Sequence, residues 1–170
     1  GEQSSDMRST DLVPLARAVL QRDDSGGFTK PSLQQYPHQW NWDSALAALG
    51  WSHFDLPRAR DEVRSLLRAQ WRDGMVPHIV YHGESDYFPS ADFWRTEGLP
   101  HAGTLPSSGL TQPPILTTVV RVLHDRSNGK PGLSLLFVQE VYSQLLAWHR
   151  WLHTARDADG TGLPCLIHPW

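Results

Sequence analysis

The sequence predicts an all-α fold, a partial (α/α)6 toroid of alternating inner and outer helices, on three observations. Five segments carry apolar residues at helical spacing. These segments alternate between helices apolar on most sides and helices with one apolar and one charged face, the pattern of an inner and an outer ring. Each inner helix follows a long loop rich in Trp, Gln, His or Tyr. A closed ring of six hairpins needs twelve helices, so five make the first part of a barrel. No segment recurs with the period of roughly 20 to 50 residues that marks a solenoid.

The first helix is expected from Asp11 to Arg22, with Leu12, Leu15, Ala16 and Val19 on one face, Thr10 as its cap and Pro14 in its first turn. Gly26 and Gly27 end it. The second, from about Asp43 to Phe54, carries no charge after its first residue and is expected to be buried nearly all round. Asp43 and Ser44 stand where an N-cap would. The third, Pro57 to Trp71, turns Leu56, Ala59, Val63, Leu66 and Leu67 inward and Arg58, Arg60, Asp61, Glu62, Arg64 and Arg68 outward. Trp71 to Leu110 has no sustained period, and Met75 to Tyr81 is its one strand candidate. So long a loop in a compact domain is uncommon and usually functional. The fourth helix follows Gln112, with Pro113 and Pro114 in its first turn and Ile115, Leu116, Val119, Val120, Val122 and Leu123 after them. Asn128 to Gly132 reads as a turn. The fifth helix, from about Leu133 to Ala155, gathers Phe137, Val141, Leu145, Trp148 and Leu152 on one face.

Composition narrows the partners. The 170 residues fit one domain, residues 10–170, behind a polar N-terminal tail at 1–9 that lacks an initiator Met and a signal-type apolar core. A net charge of −3 without any basic run argues against nucleic acid and an anionic membrane. No apolar run approaches the ~20 residues that span a bilayer. A single cysteine, Cys165, excludes an internal disulfide and fits a reducing cytoplasm. Eight tryptophans exceed ordinary usage and point to a small ligand. No cofactor or metal is implied. His149 and His153 have the spacing of a zinc pair but no Glu between them and no third ligand, so they read as surface histidines. Asp157 to Gly162 opens like a calcium loop without its terminal acid and reads as a tight turn.

The chemistry concentrates in Gln34 to Leu46, which packs a tyrosine, two tryptophans, three glutamines, a histidine, an asparagine and an aspartate ahead of a helix. Aromatic faces interleaved with amides and a carboxylate suit a carbohydrate, whose rings offer apolar C–H faces and hydroxyls that want paired donors and acceptors. The plainer alternative is a core tryptophan pair beside a capping aspartate.

The run Gln39-Trp40-Asn41-Trp42-Asp43-Ser44-Ala45 comes with Gly74-Met75-Val76-Pro77-His78, Thr111-Gln112-Pro113-Pro114 and a closing Gly162 to Trp170, in that order. Together these motifs resemble the (α/α)6-barrel enzymes of glycoside hydrolase family 63, the mannosylglycerate hydrolase type above all. The resemblance implies inverting hydrolysis of an α-glycosidic bond by two carboxylic acids. It places the acid and the base beyond Trp170, so no catalytic residue is assigned within the chain. It implies that Tyr36, Trp40, Trp42 and Asp43 line a saccharide subsite, with Asp43 accepting hydrogen bonds from hydroxyls. Gln112 would add an amide contact, Tyr87 and Asn41 are further candidates, and His78 stands second to these. A saccharide or glycoside is the expected partner, and the uncovered inner helices are expected to promote self-association. Two function classes stay open, part of a glycosidase and a non-catalytic helical module that binds sugars.

Overall fold

The computed structural model describes residues 9–127 and 131–165. The described residues form five α-helices, α1 (Ser9–Asp23), α2 (Asn41–Trp51), α3 (Leu56–Leu67), α4 (Leu116–Arg126) and α5 (Pro131–Ala155), and a small antiparallel pair, β1 (Gln39–Trp40) and β2 (Ile79–Val80), whose first strand leads into α2. Helices α2 and α4 pack on each other, α3 and α5 lie behind them in contact with one another, and α1 leans on α2. This is the expected alternation of inner and outer layers. Ala45 and Ala48 are small enough to let α2 close on Val63, Leu66 and Leu67 of α3, and Val119, Val120 and Leu123 of α4 meet Phe137, Val141, Leu145, Trp148 and Leu152 of α5 in the same core. The inward faces expected of the third and fifth helices are the observed ones.

Several boundaries and faces differ, each for a tertiary reason. Helix α1 begins at Ser9, so Thr10 lies inside it and Pro14 falls past the first turn. Its expected apolar face is largely uncovered: Leu12, Leu15 and Val19 are about half exposed, and Leu20 instead packs over Gly50, where a side chain would collide with it. Helix α2 begins at Asn41, not Asp43, and has no side-chain cap of its own. Strand pairing carries extended backbone through Trp40, and the first amides of the helix find distant partners: Asn41 N–H donates to His78 O at 2.9 Å and Trp42 N–H to Gln112 Oε1 at 3.1 Å. Nor is α2 buried all round, since Trp42 and Leu46 are exposed. Helix α4 starts at Leu116, after the two prolines, and exposes Thr117, Thr118 and Arg121. Residues 128–130 of the expected turn and most of the N-terminal tail lie outside the described residues.

The strand expected at Met75 to Tyr81 is reduced to Ile79–Val80, registered Gln39 to Val80 and Trp40 to Ile79. The loop is nonetheless built firmly. Gly74 has φ +108°, and a Cβ there would sit 2.6 Å from Ala147 O of α5. The tryptophan excess is partly structural: Trp51, Trp148 and Trp151 are buried, and their indole N–H groups donate to Thr29, Thr111 and Asp73. Asp157 accepts from Gly162 N–H at 2.9 Å, which makes the Asp157 to Gly162 segment the expected tight turn.

The largest correction is Glu62, expected to face solvent and found fully buried. Its carboxylate accepts from Thr29 N–H at 2.9 Å, the Thr29 hydroxyl at 2.8 Å and the Ser44 hydroxyl at 2.8 Å, and pairs with Arg58 at 2.8 Å. Arg58 also reaches Asp24 at 2.8 Å. Period alone put Glu62 outside because it cannot show that the loop before α2 folds over this part of α3. Removing a buried carboxylate strands all these donors. Glu62→Ala should therefore cost about 3–5 kcal/mol, with Glu62→Gln recovering part of the loss. Chemical denaturation of the two variants and the parent measures both, and a loss under about 1 kcal/mol would contradict this account.

Candidate functional site

The segment entering β1 sets Tyr36, His38 and Trp40, alternate residues, against one another. Tyr36 meets Trp40 edge-on at 5.1 Å between ring centroids, and His38 lies 6.4 Å from Trp40. Tyr87, from the loop after β2, meets Trp40 edge-on at 5.0 Å and Tyr36 at 6.3 Å. Tyr81 and Trp94 back this wall: the Trp94 indole donates to the Tyr81 hydroxyl at 2.9 Å, which donates to Pro89 O at 2.6 Å. Burial pushes the Tyr81 phenol up to about 12 and the Tyr87 phenol upward, so both keep their protons at neutral pH. Trp40 is nearly covered, whereas Tyr36 and Trp42 are each 45% exposed and can offer surface to a ligand.

Asp43 lies in the first turn of α2 and is half-buried. Burial raises its carboxyl above the ordinary aspartate range, and among the described residues its hydrogen-bond support is its own backbone amide. No side chain among the described residues donates to it. Gln112, from the loop before α4, spends its carbonyl on Trp42 N–H, while its NH2 makes no hydrogen bond among the described residues. The mouths of the two inner helices thus each carry a polar group without a side-chain partner among the described residues, the Asp43 carboxylate on one and the Gln112 NH2 on the other.

The other sequence candidates sit behind this surface. Asn41 is fully buried and donates to Val76 O at 3.3 Å and Pro77 O at 3.1 Å, and its Oδ1 has no partner among the described residues. His78 bonds Ser108 Oγ through Nδ1 at 2.6 Å, stands edge-on to Trp94, and accepts from Asn41 N–H through its backbone carbonyl.

Sequence reasoning missed His38, Tyr81 and Trp94. Only His38 left a signal, the spacing of two between Tyr36, His38 and Trp40 that an extended segment places on one side. Its ring shares a hydrogen bond with Ser85 Oγ at 2.7 Å, and burial lowers its basicity. A cavity of about 660 Å³ opens here, lined among others by His38, Tyr81, Glu84, Ser85, Asp86 and Asp92. The carboxylates Glu84, Asp86, Asp92 and Glu97 are all exposed. Gln112 borders a separate cavity of about 290 Å³ with Pro113, Pro114, His149, Leu152 and Arg156. His149 is bound there to the Thr117 hydroxyl at 2.8 Å.

Residues 36–170 match the family of mannosylglycerate hydrolase MGH1-like glycoside hydrolase domains. Mannosylglycerate hydrolase MGH2 of Selaginella moellendorffii is 46% identical over 159 residues, which is 93% of this chain and 32% of the relative. Glucosylglycerate hydrolase of Mycolicibacterium hassiacum is 38% identical over 170 residues, 95% of this chain and 38% of the relative. The crystal structure of a family 63 mannosylglycerate hydrolase of Thermus thermophilus with Tris and D-glycerate superposes with a TM-score of 0.82 at 44% identity, covering 94% of this chain and 37% of that one. The chain spans about a third of the length of the curated relatives it matches. With the alternating helices, the aromatic wall and the match over residues 36–170 in agreement, the chain belongs to the mannosylglycerate hydrolase MGH1-like glycoside hydrolase family.

Proposed function

We propose that residues 10–170 are the N-terminal part of the catalytic domain of an inverting glycoside hydrolase that cleaves a glycosylglycerate, mannosylglycerate or glucosylglycerate. This part supplies one wall of the saccharide pocket. The observation that carries the reading is the half-buried Asp43 without a side-chain donor among the described residues, in the same helix turn as the exposed Trp42 and three residues after Trp40 of the Tyr36, Trp40 and Tyr87 cluster, with Gln112 bonded to Trp42 N–H from the loop before α4. A hydroxylated ring supplies what is missing there: donors for Asp43, acceptors for Gln112 and an apolar face for the aromatics. D-glycerate in the relative's crystal structure supports the glycerate half of the substrate.

In such a reaction one carboxylic acid protonates the leaving oxygen while a carboxylate on the opposite face activates water, the two standing roughly 6.5–9.5 Å apart. In this reading both come from polypeptide outside the chain, and the residues here bind and orient the sugar. The exposed Glu84, Asp86, Asp92 and Glu97 serve as solvated loop charges. A cytoplasmic setting, no cofactor, and association of the isolated chain through Leu12, Leu15, Val19, Trp42 and Leu46 belong to the same reading. No helix among the described residues is long and apolar enough to cross a membrane.

In an enzyme carrying the rest of the barrel, Asp43→Ala should lower kcat/KM about ten- to a hundredfold, or about 1.5–3 kcal/mol. Asp43 is not the N-cap of α2, so the melting temperature should barely move. The 170-residue chain alone should show no turnover of mannosylglycerate or aryl α-glycosides, since each absent acid or base contributes on the order of 10²–10⁴-fold. Turnover by the short chain would place a catalytic carboxylate among the residues described above, and saccharide binding by a barrel-length enzyme that never hydrolyses would favour the binding module.

Ionised Asp43 is the better acceptor, and its raised carboxyl takes up a proton earlier than an ordinary aspartate as the pH falls. Saccharide affinity, read by tryptophan fluorescence, should therefore weaken from pH 7 toward about 4. Asp43→Asn should flatten that profile, and an unchanged profile would remove Asp43 from the site.

A further inference from the structure

His82 stands at the root of the loop whose tip is Tyr87. Its ring stacks on Phe28 with centroids 3.9 Å apart and planes at 15°, and its Nε2 lies 2.8 Å from Gln39 Oε1. The neighbours of Gln39 fix which way this bond runs. Gln39 Nε2 donates to Ser44 Oγ at 3.0 Å, Oε1 accepts from the Ser65 hydroxyl at 3.3 Å, and Ser44 in turn donates to Glu62. Oε1 is thus the acceptor, and His82 Nε2 carries the proton. Partial desolvation of the ring, with the positive charges of Arg68 and Lys30 nearby, pushes the imidazole down to about 4 although His82 keeps an exposed side, and the ring is neutral at physiological pH.

Gln39 is fully buried and immediately precedes Trp40, so strand alternation sends its side chain to the face opposite the indole. The back of β1 is therefore gripped by the root of the loop whose tip meets Trp40 on the front. Between root and tip lies one further tie, the bond from Ser85 to His38.

We propose that His82 is a positioning residue for the saccharide site: its bond to Gln39 ties the Tyr87 loop to the strand that carries Trp40, so that the two sides of the aromatic wall are set by one buried amide. The role in binding rests on the saccharide reading above; the tie itself rests on geometry. His82→Phe keeps a flat ring on Phe28 without the donor, and His82→Gln keeps an N–H at similar reach without the stack.

Native chymotrypsin cleavage after Tyr87, resolved by mass spectrometry on the 170-residue chain, reads the loop directly. His82→Phe should speed that cleavage about tenfold and His82→Gln should stay within about threefold of the parent, both with near-parental melting temperatures. Parental cleavage in His82→Phe would overturn the tie, and a collapse of melting temperature in both variants would make His82 part of the core instead. Mannosylglycerate quenching of tryptophan fluorescence in an enzyme carrying the rest of the barrel supplies the second arm, with His82→Phe expected to bind about tenfold more weakly and His82→Gln near the parent. Unchanged binding despite faster cleavage would overturn the positioning role. A parent that binds no saccharide, with the cleavage order intact, would refute the saccharide reading and the positioning role with it, leaving only a loop tether.

Discussion

The carboxylate of Glu62 has to be matched where it sits, and the layout of the site follows from how it is matched. Burial pushes its carboxyl up from the ordinary glutamate range, while the Thr29 amide, the Arg58 guanidinium and the two hydroxyls pull the other way. An arginine that does not give up its proton and an amide that can only donate both call for the ionised carboxylate. The match requires the loop before β1 to lie over α3, so that Thr29 is present, and α2 to present Ser44 from the other side. Arg58 completes it by bridging to Asp24 and lying over the Trp51 ring at 4.7 Å. Ser44 then holds Gln39, and Gln39 holds the strand that displays Trp40. The aromatic wall is thus anchored from behind by polar contacts, while its front packs ring against ring with the His38–Ser85 bond beside it.

A second carboxylate, Asp43, stands immediately before Ser44 in the same helix and has none of these donors. Its half-buried position raises its pKa and gives the fold little in return. Such a group is useful to a protein when a ligand completes it, and buried or half-buried titratable groups of this kind cluster at functional sites. Neighbouring positions on one helix turn thus divide the work: Ser44 turns inward to satisfy Glu62, while Asp43 stays half-buried with no side-chain donor among the described residues.

The same division appears in the apolar surface. Helices α3 and α5 bury their expected faces, yet Leu12, Leu15 and Val19 of α1, Trp42 and Leu46 of α2, and Leu135, Leu136 and Tyr142 of α5 stay exposed. Scattered single exposures are ordinary, but runs at helical spacing on edge elements are the kind of surface that packs against further structure. An inner helix has neighbours on both flanks only when its ring continues.

Periodicity was enough to determine the five helices and the inward faces of α3 and α5, because a helix read at 3.6 residues per turn reports its own apolar stripe. The run Tyr36 to Asp43 was legible as aromatic and polar together, and its order in the chain placed it ahead of an inner helix. What periodicity could not report is any partner far away in the chain. The start of α2 at Asn41 depended on His78 O and Gln112, the burial of Glu62 on Thr29 more than thirty residues upstream, and the fate of three tryptophans on Thr29, Thr111 and Asp73. Local sequence determined which segments coil and which residues can grip a hydroxyl. Tertiary structure decided which polar groups spend that capacity on the protein itself, because a buried donor or acceptor takes whichever partner the fold brings within about 3 Å.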